Sequence, residues 1–377
     1  MRASHLHWRS RRSERQGETL IIDTATYRQS APTQAARVPA AALPASPVPA
    51  ARRSRRWFLA AACATYLIVL LAVCFTMRLE GDRWWVATVL LLAPRWPLAL
   101  PLLVLWPWSL VARRWGAIAA TAAATGLVLF PLMGLRISLP RGSAERGQLR
   151  LLTCNAHRQH LDTERFAAFV AEVRPDIVAL QGWSETGHEG LFAGGDWEVR
   201  REGELLVASR FPIATVAPLE FADTGDANKG ERGAAATFEI KTPQGPVSLI
   251  SLHLASPHGG LLTFREDSGA KLSGNVARRW RESDRLLDLA QRVQNPLLMA
   301  GDFNTTDDSP IFREHWGQFA DAFSQCGLGF GYTYIIGHTQ LRIDHILAGP
   351  SWRVIRCWTG PDVGAAHRPL VADLNGR

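Results

Sequence analysis

The sequence predicts an α/β domain carried behind a group of apolar helices, and three observations support that reading. Between Leu149 and Leu374, apolar runs of strand length alternate with segments of helical period. Upstream, three long stretches between Trp57 and Leu135 hold almost no charge. Several downstream strands also end abruptly in short polar side chains, most clearly Pro296–Ala300, which runs straight into Gly301-Asp302-Phe303-Asn304.

The chain has 377 residues and a net charge of +8, unevenly spread. Residues 1–56 hold 11 Arg against Glu14, Glu18 and Asp23, a balance of +8, and residues 57–136 add +4. The remainder carries 25 basic and 29 acidic residues, a balance of −4. The basic total therefore reports a tail and membrane flanks. Nucleic acid is not favoured as a partner of the domain, because long duplexes are held by neutralising phosphates. Residues 1–56, rich in Arg, Ala and Pro, offer too little apolar surface to offset the entropy of ordering and read as a disordered cytoplasmic tail, with a misassigned start codon as the alternative.

Trp57 to Met77 is a run of 21 residues without a charge, enough for a helix to cross the roughly 30 Å hydrocarbon core. Its length, its position and the apolar sequence beyond it disfavour a signal peptide. Arg78 to Arg83 form a short polar loop, residues 84–112 are uncharged except for Arg95, and residues 115–135 form another uncharged run. Three spans within 57–136 are the simplest count. Two spans plus a re-entrant segment, broken around Pro94, Pro97, Pro101 and Pro107, are the alternative. With three spans, Arg52, Arg53, Arg55 and Arg56 share a side with Arg113 and Arg114, so the positive-inside tendency leaves the tail in the cytoplasm and everything after Leu135 outside it.

Residues 137–147 read as a linker and 148–377 as the α/β domain. Leu149–Cys154 and Asp176–Gln181 are expected as buried strands flanking a helix at Thr163–Val173. Leu205–Ala208, Ala234–Ile240 and Val247–Leu254 follow as strands, the last two joined by the turn Thr242-Pro243-Gln244-Gly245. A helix from about Val276 to Val293 precedes the strand that opens at Pro296, and Arg342–Leu347, Trp352–Cys357 and Pro369–Leu374 complete the set. Arg278, Arg279, Arg281 and Arg285, interspersed with Glu282, Asp284 and Asp288, read as a solvated helix face. Asp307-Asp308-Ser309-Pro310 reads as a helix start capped by Ser309. Cys326 and Cys357 could form an ordinary bridge, with free thiols the simpler reading.

Five strand ends carry polar clusters: Thr153-Cys154-Asn155, Ser251-Leu252-His253-Leu254, Gly301-Asp302-Phe303-Asn304, Arg342-Ile343-Asp344-His345 and His367-Arg368-Pro369. Singly, each has a structural explanation: Asn155 as a turn residue, His253 as a core histidine, Asp302 as a helix cap, Asp344 as an ion-pair partner. Five together, each ending an apolar strand, point to one shared site, because strands fix geometry and the loops beyond leave it open.

On these motifs residues 148–377 resemble the endonuclease/exonuclease/phosphatase superfamily, the DNase I-like fold, in its membrane-anchored bacterial form. The resemblance implies a four-layer α/β sandwich behind a small transmembrane helical region, and phosphoester hydrolysis with a divalent metal, Mg²⁺ or Mn²⁺. It makes His367 the base or the phosphate-stabilising group, oriented by Asp344, an arrangement that fixes the imidazole tautomer. Asp302 then orients or deprotonates the attacking water, or protonates the leaving oxygen. Asn155 and Asn304 hold phosphate oxygens and neighbouring side chains, and His253 donates to the phosphate or the leaving group.

Two positions depart from the family pattern. Where the family has Leu-Gln-Glu, this chain has Leu180-Gln181-Gly182, and where it has Ser-Asp-His, this chain has Ala365-Ala366-His367. Both missing carboxylates lie on the metal side, which leaves three explanations. Glu185 reaches the metal together with Asp302, with His157 or Asp362 assisting; oxygen ligands of this kind suit Mg²⁺. Alternatively Arg or His neutralises the phosphate without an ion, or the domain is a catalytically inactive phospholigand-binding pseudoenzyme. The intact Asp344–His367 half favours hydrolysis. The resulting expectation is a phosphoric ester hydrolase in the bacterial cytoplasmic membrane, multi-pass, with its domain extracytoplasmic. Its substrates are expected to be a phospholipid head group, a small phosphodiester or, as a nuclease, nucleic acid.

Overall fold

The structure, a computed structural model, describes residues 50–138, 146–158, 161–184, 190–194, 196–221, 233–257 and 268–377. Residues 1–49 of the tail predicted over 1–56, and most of the predicted linker, lie outside them; residues 50–56 are not disordered as expected but open the helix Ala50–Glu80, which extends back into them from the apolar run. Pro49–Arg377 form one compact unit, so helical region and sandwich belong together.

Two six-stranded sheets make the α/β part. In the first the order is Trp352–Thr359, Leu370–Gly376, Leu149–Arg158, Ile177–Trp183, Leu205–Ser209 and Glu198–Glu202. In the second it is Ala320–Asp321, Asp344–Ala348, Leu297–Asp302, Gly245–His253, Ala234–Thr242 and Ile213–Leu219. Each sheet contains one parallel pair among antiparallel neighbours, Leu149–Arg158 with Ile177–Trp183 and Gly245–His253 with Leu297–Asp302. A parallel pair needs a crossover, and a helix supplies it each time: Thr163–Val173 and Ser268–Arg292.

Strand alternation sorts the side chains into layers. Leu151, Ala179 and Val207 of the first sheet meet Phe238, Leu249 and Ile346 of the second in the central core. Their neighbours Leu152, Val178 and Leu206 face outward against Phe166 and Val170 of the first crossover helix. On the far side Ile250, Met299 and Leu347 pack against Leu286 and Ala290 of the second. Helix, sheet, sheet, helix is the four-layer sandwich expected. The strands Glu198–Glu202 and Ile213–Leu219 were not legible: the first is polar, and the second exposes most of its length as an edge. Cys326 and Cys357 are buried and not joined by a disulfide, and Cys326 Sγ donates to the Val354 carbonyl at 3.4 Å.

Ahead of the sandwich stand Ala50–Glu80, Trp85–Leu92, Leu102–Val111 and Trp115–Leu127, the last closing in a π-helical turn, Val128–Leu132. Two helices, Trp57–Glu80 and Trp115–Leu132, are long and apolar enough to cross a membrane. Trp85–Leu92 and Trp96–Val111 are bent against each other by 76°, so they count as one broken span or as a re-entrant segment. Leu59 and Cys63 pack with Leu105 and Ala117 at one end of the bundle, whereas Met77 packs with Leu91, Val128 and Leu132 at the other. The first and last helices therefore run the same way, with Leu102–Val111 returning between them.

One predicted surface is overturned. Arg281, Asp284, Arg285 and Asp288 are exposed as expected, but Arg279 and Glu282 are buried. Helix Ser268–Arg292 turns a polar stripe inward, and that stripe holds the loops that precede the strand Ala234–Thr242 and follow the strand Gly245–His253 at one end of the second sheet. Asn275 donates to the Ser256 carbonyl (2.6 Å), and Glu282 accepts from the Ala255 (2.8 Å) and Gly233 (3.0 Å) amides. Ser309 does start a helix, accepting from the Phe312 amide at 3.0 Å.

Candidate active site

Register brings the polar strand ends together. In the second sheet Asp302 is paired directly with His253 on one side and Asp344 on the other. Asn155 reaches across from the first sheet and donates through Nδ2 to Asp302 Oδ2 at 2.9 Å. The chain turns sharply after Asp302: Asn304 has φ +49°, and its amide donates to Asp302 Oδ1 at 2.8 Å. The Asn304 side chain donates to the Leu254 carbonyl at 2.7 Å, tying this loop to the one after His253. The Asp302 carboxylate is thus fully buried and held at both oxygens.

Two imidazoles converge on it. His367 pairs through Nδ1 with Asp344 Oδ2 at 2.7 Å and aims Nε2 at Asp302 Oδ2, 3.7 Å away. His253 pairs through Nδ1 with Glu204 Oε1 at 2.6 Å and aims Nε2 at the same Oδ2, 3.6 Å away. The arrangement is carboxylate–imidazole twice over, facing a third carboxylate. Among the described side chains the cleft opens on the Glu204–His253 side, which is 32% and 21% exposed, against 4% or less at Asp302, Asp344 and His367.

These surroundings set the protonation states. Burial alone would lower the His253 pKa; the hydrogen bond to Glu204 and the charges of Asp302, Glu204 and Asp344 overcome it and raise it to about 9. Burial likewise opposes protonation of His367, but Asp344 and Asp302 raise its pKa above the ordinary value. Burial and the nearby Asp344 push Asp302 upward, against the pull of His367, His253 and the Asn155 hydrogen bond. His253 is therefore a charged donor at neutral pH, and His367 is biased toward the same form.

All six predicted catalytic residues, Asn155, His253, Asp302, Asn304, Asp344 and His367, share this cleft. Glu185 lies outside the described residues, as does the side chain of His157, and Asp362 is exposed and accepts the Gly364 amide of its own turn. Glu204 was missed. It sits in the turn between two strands of the first sheet, next to no motif, and the pairing of Leu205–Ser209 with Ile177–Trp183, extended by the Trp183 N–H bond to the Glu204 carbonyl (2.9 Å), brings it to the site. Thr333 and Tyr334 were missed too. The Thr333 hydroxyl accepts from the Asp344 amide at 3.1 Å, and Tyr334 meets the His367 ring edge to face at 5.0 Å.

A divalent ion would find Asp302, Asp344 and His367 with ligand atoms within 4.8 Å of one another. Asp344 Oδ2 is engaged by His367 and both Asp302 oxygens by N–H donors, whereas the buried Asp344 Oδ1 has no hydrogen-bond partner among the described residues. At the two positions where the resemblance places carboxylates stand Gly182, at φ +59° in the region that favours glycine, and Ala366. Among the described residues Asp302 and Asp344 would hold Mg²⁺ only with water and substrate phosphate completing its shell, a weaker site than the family's carboxylates at positions 182 and 366 would give.

The sequence profile described as the endonuclease/exonuclease/phosphatase family matches residues 152–369. The chain belongs to this family. Its members usually work with a divalent metal on phosphoester bonds, and this chain carries the sandwich of such a hydrolase. Similar solved structures include an endonuclease/exonuclease/phosphatase from Beutenbergia cavernae, 21% identical, covering 62% of this chain and 72% of that one with a TM-score of 0.44. Another is an endonuclease/exonuclease/phosphatase from Bacteroides vulgatus, 16% identical, covering 61% and 99% with a TM-score of 0.47. An AP endonuclease from Archaeoglobus fulgidus is 18% identical, covering 60% and 98% with a TM-score of 0.45. No curated protein matches the sequence.

Proposed function

We propose that this chain is a membrane-anchored phosphoesterase that works through two imidazole–carboxylate pairs facing Asp302. The observation that carries the reading is the convergence of His253 Nε2 and His367 Nε2 on Asp302 Oδ2 at 3.6 and 3.7 Å. Those gaps exceed a hydrogen bond but admit one oxygen atom that bonds to its neighbours. In the proposed step a water oxygen attacks phosphorus and its proton passes to the Asp302 carboxylate. The bond from phosphorus to the ester oxygen breaks, and the leaving oxygen takes a proton from His253 Nε2. His367, held by Asp344, donates to a non-bridging phosphate oxygen as charge builds there. Transfer of the proton from Asp302 back to His253 restores the site. No step is routed through a metal.

Three crossings place the tail and Arg113–Arg114 opposite the sandwich, which favours an extracytoplasmic domain in the cytoplasmic membrane of a bacterium. We further read the substrate as a phosphate ester at the bilayer surface, a phospholipid head group. Leu92 of the helical region packs with Leu341, Ile343 and Tyr334, and Tyr334 packs on His367, so the reactive imidazole stands two side chains from the helices.

The test is hydrolysis by the full chain in detergent micelles of bis-p-nitrophenyl phosphate, phosphatidylglycerol and plasmid DNA, each with Mg²⁺ and with EDTA. Turnover of the diester and the lipid is expected, and it should survive EDTA. Preferred cleavage of plasmid would overturn the substrate assignment, loss with EDTA the metal-free step, and phosphate binding without turnover of any substrate would establish the pseudoenzyme. The missing carboxylates at Gly182 and Ala366 are what keep that second reading in play.

The acid role of His253 fixes a pH dependence. A donor with its pKa raised to about 9 is charged below that value and lost above it, so kcat should fall as pH rises through 9. Glu204→Gln removes the charge that holds the imidazolium, and the alkaline limb should move down toward 6.5, read from kcat profiles of the two proteins. An unmoved limb would take the acid role away from His253.

A further inference from the structure

Two buried arginine–aspartate pairs of opposite sense join the helical region to the loop that follows Asp302. Asp82, in the turn between Ala50–Glu80 and Trp85–Leu92, faces Arg279 of helix Ser268–Arg292 at 3.0 Å, both side chains fully buried. The same guanidinium donates through Nη1 to the Asn304 carbonyl (3.2 Å) and through Nε to Asn275 Oδ1 (3.1 Å). Asn304 is the residue in the left-handed conformation whose amide fixes Asp302. The second pair runs the other way. Arg95, at the bend of the broken span, forms a two-pronged bond with Asp308 (2.9 and 3.2 Å), while its other hydrogens hold the carbonyls of Leu91 (2.7 Å) and Leu132 (2.8 Å). Between the pairs, Asp307 accepts from Arg136 at 2.6 Å and from Arg342.

Holding two packed elements together does not require buried charge, since apolar contacts of the same volume often stabilise as well or better. What a fixed guanidinium fork adds is direction. Arg279 is drawn by the charge of Asp82 at one nitrogen and sets the Asn304 carbonyl by a hydrogen bond from another, and the Asn304 peptide in turn sets Asp302. We infer that Asp82, Arg279 and Arg95 are positioning residues, through which the helical region completes the active site by holding residues 302–308 in their working conformation. The kinetic readout of this inference rests on the hydrolytic reading above; its geometric readout does not.

The experiment uses the full chain in detergent micelles with Arg279→Lys and Asp82→Asn. Lysine keeps a positive charge beside Asp82 but has no fork to serve the Asn304 carbonyl as well. Both variants should lose about 10–100-fold in kcat on bis-p-nitrophenyl phosphate with KM within about twofold, as a misplaced reacting group does. Amide hydrogen exchange over residues 302–308 should rise in both, with the central strands still protected, which separates a loosened loop from an unfolded domain. Arg95→Lys gives the same readouts from the other end of the loop. Should Arg279→Lys not fold, Asp82→Asn decides alone by the same two measurements. Unchanged kcat and unchanged exchange in folded Asp82→Asn would overturn the inference, as would a loss confined to Arg279→Lys, which would assign the loop to the sandwich alone. If the parent hydrolyses nothing, the functional reading fails while the exchange measurement still decides this one.

Discussion

Replacing His367 by alanine is expected to lower kcat/KM on bis-p-nitrophenyl phosphate by about 100- to 1000-fold, the range for removing one donor aimed at developing charge. The imidazole is set by Asp344 at 2.7 Å and by the edge of Tyr334, and its free nitrogen faces Asp302. The loss should fall on kcat, because a donor to a developing phosphate charge acts most in the transition state. Asp344→Asn should act in the same direction through the tautomer it no longer enforces. An alanine variant of full thermal stability that kept a tenth of its activity would move the chemistry away from this histidine.

Gly301→Ala is expected to abolish folding, or to cost more than about 4 kcal/mol where folded protein survives. Gly301 has φ +149°, a conformation closed to side chains, and a Cβ built there would lie 1.8 Å from the Leu252 carbonyl oxygen. The strand beside it is the parallel partner that ends in His253, so the clash cannot be relieved without pulling the two catalytic strand ends apart. Thermal melts of the full chain in micelles measure the effect. A midpoint within a few degrees of the parent would mean that the close approach is not required.

The sequence disclosed the parts of the site that obey strand periodicity. Asp302, His253 and Asn155 each end an apolar run, so each was legible as a strand-end polar group; that Asn155 reaches Asp302 depends on how the two sheets face each other. Asp344 and His367 were legible through motifs. Glu204 was not, because a lone carboxylate in a hairpin turn looks like surface until a neighbouring strand carries it to His253. Arg279 failed for a different reason. Its sequence neighbours are charged and mostly exposed, and the partners that justify burying it, Asp82 and the Asn304 carbonyl, come from distant segments. Local pattern describes a helix face; only tertiary structure decides which charge on that face turns inward.

The junction formed by Leu92 with Leu341, Ile343 and Tyr334 bears on how far the sandwich can be treated as portable. Excision ahead of residue 137 would strip the cover from those apolar side chains beside Asp344 and His367, and would leave Arg279 without the carboxylate it faces. Helical region and sandwich are therefore a single compact unit in which neither half is a detachable cassette.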